Sequence, residues 1–493
     1  MAWRLAPFAD IGLTPDRLDT LLADHEQRTE PRLRRLWAYY RNPGALDAPE
    51  HADARAAQRL AQAAGLPRRL RGRRDRPDSD DRAGPPEVVI ENDIAWRVDA
   101  MVDFVFGRPL SITSTAHDPQ RRATIEAALA AAIDASGSMT LLQEIALLGG
   151  VYGHVDILVD AGELLTTPRP PTDPEQAARL IRLIPVEPPR AAAILDPGDV
   201  KHIHALVIRS RQPTDQRKPH TTPGAFLNRI LARRDTTDQP TAEIVEIWSA
   251  AHHQVYRDAA LILSEPNPLG VLPIAHIQNT AQPFAHEGLS DVEPLIPLQD
   301  ELNTRLSDRA HRVTLQSFNM YLAKGMEGFG PTAIGPGMVW STDNTDARVE
   351  AFGGDASSPS EDRHIEELRA AMDKASGVSP VVLGIIRERL GQLSSETALR
   401  VTLTGLINRT HRKRVAYGRA IEHACALILH ALHTAGVLLT DEADRRVRLR
   451  WEDPLPVDDE QRLRAAKLKL DLGVPRERIL EELGYAQPSP DHR

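Results

Sequence analysis

Apolar positions recur along this chain with two different periods, and the change from one to the other divides it. From residue 13 to about 65 the spacing is helical. LTPDRLDTLLADHEQ opens on Thr14-Pro15, a capping hydroxyl followed by proline at the first helical position. EPRLRRLWAYYRN is a second helical piece that stops near Pro43-Gly44. Residues 66–87, LPRRLRGRRDRPDSDDRAGPPE, have no period and many breakers, and predict an exposed, mobile loop.

From 88 to 110 helical spacing returns, with Ile94, Val98, Met101, Val102 and Val105 on one stripe and Gly107 and Pro109 ending it. An Ala-rich helix is predicted at 120–134. Another, LLQEIALLGGVYG, runs into HVDILVD, whose alternation is that of a strand. Between 180 and 285 the pattern becomes short strands, IRLIPVEP, HIHALVIRS, AEIVEIWS and VLPIAHIQN, separated by polar or proline-rich connectors. The first 285 residues therefore read as an α+β unit.

The remainder is organised differently. Leu295, Leu298, Leu302, Leu306, Ala310, Val313 and Phe318 continue one helical stripe. A Gly/Pro-rich segment at 325–358 interrupts it, carrying the strand-like pieces GMVWST and ARVEAF. EDRHIEELRAAMDKASG is again helical, and SPVVLGIIRERLGQLS is a connector of ambiguous type. A proline-free run of roughly 40 residues then ends on Gly436 and predicts a rod of about 60 Å, longer than one small core needs. The tail offers one strand, RVRLRWEDPLP, and a helix pair split at Gly473-Val474-Pro475.

Composition narrows the classes of function. Over 493 residues, 41% hydrophobic and 26% charged positions allow a real core, and 4% aromatic content favours helical packing. The single cysteine, Cys425, excludes an internal disulfide framework and a cysteine-built zinc site, and its place on an apolar helical pattern predicts a small core residue. The N-terminus, MAWRLAPFAD, has no apolar h-region and no uninterrupted apolar stretch of about 18 residues occurs, so the expectation is a chain without a membrane span, made in a cytoplasm. The net charge is -9. A protein that grips DNA needs a basic surface; one that lets DNA slide past does not.

Catalytic signatures are missing. There is no phosphate loop, no G-x-S-x-G elbow and no H-E-x-x-H; GGVYG at 149–153 lacks the spacing and the preceding strand of a phosphate loop. His202 and His204 lie two apart on a predicted strand, hence on one face, but no third ligand is evident, so exposed strand residues are expected and no metal or cofactor. His252-His253 is read the same way.

The order of elements resembles the portal proteins of tailed bacteriophages, of the siphophage type. RLRRLWAYYRNPGA (32–45), NDIAWRVDAMVDFVFGRPLSI (92–112), GVYGHVDILVD (150–160) and PLGVLPIAHIQNTAQPFAHEGLSDVEPLIPLQDELN (268–303) are similar to successive stretches of that family, and VSPVVLG…SSETAL (378–399) to a later one. The resemblance implies an α+β portal fold: a wing (1–290), a stem helix (291–324), a β-containing clip (325–358), a second stem helix (359–376), a tunnel loop (377–394), a wing spine helix (395–437) and a short crown (438–493).

It also implies a non-enzymatic head–tail connector, a homo-oligomeric ring, expected as a dodecamer, at the capsid vertex of a virion assembled in a bacterial host cytoplasm. Double-stranded DNA would pass through the ring for packaging and ejection. The terminase large subunit, a head–tail adaptor and the major capsid and scaffolding proteins would be its partners. The implied channel residues are Val378, Ser379, Gly384, Arg387, Arg389 and Gly391, the arginines either touching phosphates or pairing with neighbouring acids. The implied clip interface holds Lys324, Phe329, Trp340 and Arg348. The block Arg409, His411, Arg412, Lys413 and Arg414 reads as a solvated face or an intersubunit ion-pair site. Arg68, Arg69, Arg71, Arg73, Arg74 and Arg76 either meet DNA or an acidic partner, or are neutralised by PDSDDR beside them. The competing readings are another phage head-assembly protein without a channel, and an enzyme with an unrecognised site using His252 or His253.

Overall fold

A computed structural model of the protein describes residues 3–41, 89–213, 241–316, 320–324, 344–346, 348–352, 358–383, 400–455, 459–476, 479–480 and 483. The chain opens with helices α1 (Pro15–Asp24) and α2 (Glu30–Arg41), joined by a π turn at His25–Thr29. Thr14 Oγ1 accepts the Arg17 amide at 3.3 Å, which is the capping role its place before Pro15 predicts. The expected loop at 66–87, with its arginines, lies outside the described residues.

The body continues through α3 (Ala95–Phe106), β1 (Leu110–Ser114), α4 (Pro119–Ala135), α5 (Ser138–Tyr152), β2 (His154–Asp160), α6 (Gly162–Thr166) and α7 (Pro174–Ala178). Strands β3 (Arg182–Val186), β4 (Ala191–Leu195), β5 (Ile203–Pro213), β6 (Thr241–Ser249), β7 (His252–Arg257), β8 (Ala260–Pro266) and β9 (Ile274–Gln278) follow. Then come α8 (Ile296–Gln316), β10 (Met320–Lys324), β11 (Arg348–Phe352), α9 (Pro359–Ser376), α10 (Thr404–Thr434), β12 (Val447–Trp451) and α11 (Asp459–Asp471).

The fold is α+β, as expected from the sequence. β4 to β8 form an antiparallel meander, and β2 lies between β3 and β9 in a second sheet. β1 pairs with β12 across most of the chain length, Leu110 opposite Trp451. Six of the seven residues of β2 are buried, so its His and Asp positions are forced into the interior with its valines. The β7–β8 hairpin carried little sequence signal, because its turn residues, Asp258 and Ala259, both adopt positive φ without a glycine.

α10 is a core helix. Leu406, Tyr417, Ile421, Cys425, Ile428 and Leu432 pack into the largest apolar cluster together with α3, α4, α5 and the β2 sheet. Burial among these side chains pushes the Cys425 thiol up to about 12. At 31 residues the helix is about 46 Å long, shorter than the rod predicted from the proline-free run.

Two other boundaries also differ from expectation. Residues 89–92 are not helical and 93–94 form a turn into α3, for a reason given below. The stripe predicted to be helical to 324 ends at Gln316, and Met320–Lys324 is a strand paired antiparallel with Arg348–Phe352. Val313, the last stripe residue before this point, is 39% exposed, and the antiparallel partner at Arg348–Phe352 favours a strand. ARVEAF is thus a strand as predicted; GMVWST lies outside the described residues. Among the described residues no single helix is long and apolar enough to cross a membrane.

Candidate functional site

The two helices that carry the chain out to the β10–β11 pair and back, α8 and α9, are joined to α10 by a buried polar junction. Ser290 precedes the turn into α8; its Oγ accepts the Val292 amide at 3.0 Å and donates to Val151 O at 2.5 Å. That fixes Asp291 with its amide on Gly150 O at 2.8 Å and its carboxylate against Lys413 Nζ. Lys413 also donates to Asn279 Oδ1 at 2.7 Å, and Tyr417 Oη donates to the same oxygen at 2.9 Å. Burial pulls the Lys413 ammonium below its ordinary value, opposed by Asp291, and pushes the Tyr417 hydroxyl up.

One turn earlier on α10, Arg409 serves both helices. Its guanidinium lies 3.6 Å from Asp291 Oδ1, and Nη1 donates to Ala375 O at 3.1 Å and to Ser376 O, the last carbonyls of α9. α9 ends there because Gly377 adopts φ +69°, a left-handed cap. A cation at a helix C-terminus also meets the dipole favourably. Arg414 points the other way, to Glu452 O at 2.8 Å and Phe104 O at 3.0 Å, holding β12 and the end of α3. The basic block is therefore divided. Arg409, Lys413 and Arg414 are internal ties, which corrects their reading as a solvated or intersubunit face, and His411 and Arg412 are exposed.

The junction explains GGVYG. A Cβ on Gly149 would meet Tyr417 Oη at 2.2 Å, and one on Gly153, at φ +93°, would meet Gly288 O at 2.4 Å. These glycines allow close approach of α5 to α10 and of two loops to each other.

A second set of contacts clamps the flank of α8. Gln299, Asn303 and Ser307 stand four residues apart, hence on one helix face, and meet the extended segment 89–93 at alternate residues. Ser307 Oγ accepts the Val89 amide at 3.0 Å, Asn303 Oδ1 the Glu91 amide at 3.1 Å and Gln299 Oε1 the Asp93 amide at 3.1 Å. Gln299 Nε2 donates back to Glu91 O at 2.7 Å. These side chains satisfy the backbone of 89–93 in the way a neighbouring strand would, which is why the segment is not helical.

Ion pairs lock α9 into the same assembly. Arg97, 2% exposed, reaches Asp373 at 2.6 Å and Asp93 at 3.1 Å, and Arg369 reaches Glu91 at 2.6 Å. Arg309 pairs with Asp362 at 3.0 Å and Arg312 with Glu361, joining α8 to α9 near their far ends. Tyr39 and Tyr40 donate to Asp300 at 2.7 Å and Asp99 at 2.9 Å, and burial pushes each phenol up to about 12. None of these ties was singled out from the sequence; the four-residue spacing of Gln299, Asn303 and Ser307 was the one signal available.

Beside the junction, where β2 and β9 meet the loop before α8, lies a histidine cluster. His276 Nδ1 is 2.7 Å from Asp156 Oδ1 and its Nε2 is 3.0 Å from His286 O, an arrangement that raises its pKa despite burial. His286 stacks on His276 at 4.1 Å; burial and then that neighbour push it down to about 3. Burial likewise lowers His154.

The residues implied as channel and clip scatter. Val378 is 1% exposed and packs in the largest cluster, so its side chain belongs to the body and not to a channel surface. Ser379 precedes a short 3-10 turn, Pro380–Leu383, and is half-buried. Lys324 and Arg348 face each other in register across β10 and β11, and Arg348 is exposed. Gly384, Arg387, Arg389, Gly391, Phe329 and Trp340 lie outside the described residues. His253, read as an exposed strand residue, is 7% exposed: it stacks at 3.6 Å on Trp248, its partner in register on β6, with Glu246 and Glu265 beside it.

The sequence matches the model of the phage portal protein family, SPP1 Gp6-like, over residues 19–487. The chain belongs to this portal protein family. No curated protein matches it significantly. Among solved structures it is similar to a chain in the neck of an empty GTA particle computed with C6 symmetry, at 14% identity and a TM-score of 0.45, covering 82% of this chain and 97% of that one. It is also similar to a chain in the neck of a native GTA particle computed with C12 symmetry, at 12% identity and a TM-score of 0.44, covering 80% and 90%.

Proposed function

We propose that this chain is a non-enzymatic head–tail connector that assembles with copies of itself into a ring, expected to be a dodecamer, at the capsid vertex. Its channel would carry double-stranded DNA inward during packaging and outward during ejection. The observation that carries the reading is the family match over residues 19–487, nearly the whole chain. The pair α8 and α9, fastened to the body at one end and bearing a short β pair at the other, suits a projecting stem with a docking tip for the terminase large subunit and, later, a head–tail adaptor. Major capsid and scaffolding proteins would contact the body. Lys324, Phe329, Trp340 and Arg348 are the tip residues of this proposal. Ser379, Gly384, Arg387, Arg389 and Gly391 are its channel-loop residues.

Charge supports a conduit. Twelve copies at -9 sum to about -100, a field that keeps DNA from adhering to the walls. Negative-stain microscopy of the purified chain tests the proposal. Rings with a central hole a few nanometres wide are expected, and a monodisperse monomer at every concentration tried overturns it.

A further inference from the structure

Two histidines that look isolated in sequence acquire a third neighbour in the fold. The β4–β5 hairpin turns so that Asp196, just past the end of β4, faces the start of β5; its amide donates to His202 O at 2.9 Å. His202 and His204, two apart, share the face on which the Asp196 carboxylate sits, and their rings lie 5.0 Å apart. One ligand atom from each of the three residues lies within 4.8 Å of the other two.

We propose that Asp196, His202 and His204 bind one divalent transition cation of the zinc class. The donor set, two imidazoles and one carboxylate, suits Zn2+ and its borderline neighbours and not Mg2+ or Ca2+, which prefer oxygen alone. The carboxylate is held in place before any ion arrives: Oδ1 accepts the Gly198 amide at 2.6 Å and the Asp199 amide at 3.0 Å, leaving Oδ2 turned to His204 Nε2 at 3.0 Å. Ligand atoms around a tetrahedral zinc are separated by about 3.3 Å, so the widest pair has to close by at most about 1.5 Å. His202 is exposed and free to rotate by that amount, whereas Asp196 and His204 are half-buried and fixed. Three protein ligands leave a fourth position for water. Bound there, the ion crosslinks the two strands of the hairpin and stabilises this end of the five-stranded sheet.

The test is a Co2+ titration of the tag-free full-length chain, followed by the visible d–d absorption of the ion and by thermal unfolding with and without Zn2+. The expected result is a saturable band at one ion per chain, displaced by Zn2+ and not by Mg2+, with a rise in Tm. Asp196→Asn, which keeps the shape and the amide contacts, weakens binding by at least about tenfold. The double variant His202→Ala/His204→Ala abolishes the band and the Zn2+-dependent rise, while its metal-free Tm matches wild type within a few degrees. His411→Ala, at an exposed histidine on α10, changes neither. No saturable band in wild type, or a band that survives the double variant, overturns the proposal.

Discussion

Lys413, on the longest described helix, is buried against Asp291, which stands five residues before the start of α8. An ammonium and a carboxylate removed from water in this way are costly unless each keeps its partner. Asn279 accepts a further hydrogen bond from the ammonium and Arg409 flanks the other carboxylate oxygen at 3.6 Å, so the place where α8 leaves the body is set by polar contacts as well as by apolar packing.

Removing one partner should therefore be worse than removing both. Lys413→Met is expected to destabilise by about 3–5 kcal/mol, and the double variant Lys413→Met/Asp291→Asn to recover part of that loss. Denaturant unfolding at one fixed protein concentration checks it. A Lys413→Met chain as stable as wild type would show that the pair is dispensable.

Arg409 acts at the end of α9. Arg409→Gln should cost about 1–2 kcal/mol and raise amide hydrogen exchange in the last turn of Pro359–Ser376 ahead of the rest of the body. Uniform protection across that helix in the variant would contradict the capping role.

Asn303→Ala leaves the Glu91 amide and the Gln299 amide group without their shared oxygen. A loss of about 1–3 kcal/mol is expected, with faster exchange confined at first to Val89, Glu91 and Asp93. Exchange unchanged at those three amides would refute the strand-like pairing.

Two glycines at positive φ separate backbone strain from crowding. Gly270→Ala meets open space and should cost about 1 kcal/mol, whereas Gly153→Ala adds a clash with Gly288 O and should cost about 3 kcal/mol or more. Equal costs would mean that the two loops yield easily.

Acid should loosen the junction through its histidines. His286 and His154 are neutral in the fold and take up protons when unfolded, so their contribution is present above about pH 6.5 and is lost as pH falls below it, for His286 towards about 3. His276, raised by Asp156, works in the opposite sense, its contribution being lost as pH rises above its ordinary value; Asp156 loses its own only below the ordinary carboxylate range. Glu287, held by Arg32 at 2.8 Å, borders the cluster. A Tm profile between pH 7 and 4.5 should fall, and His286→Gln should flatten it. Parallel profiles would remove the cluster from the account.

Much of the local structure was legible because it depends on neighbours in sequence. Thr14-Pro15 sets the start of α1, Gly377 and Gly436 mark the ends of α9 and α10, and the change from helical to alternating spacing gave the α+β body and the interrupted helix pair. What the sequence by itself could not decide was which polar groups face inward. Lys413, Arg414, Asp291, Gln299 and Asn303 have the composition of a solvated surface, and only long-range packing removes them from water and supplies their partners. The same holds for Val378, read as part of the tunnel loop yet core, and for Asp196, whose place beside His202 and His204 is fixed by a hairpin. Periodicity reports the face an element must bury; the partners of a buried charge are chosen by the fold, because they come from residues more than a hundred positions apart.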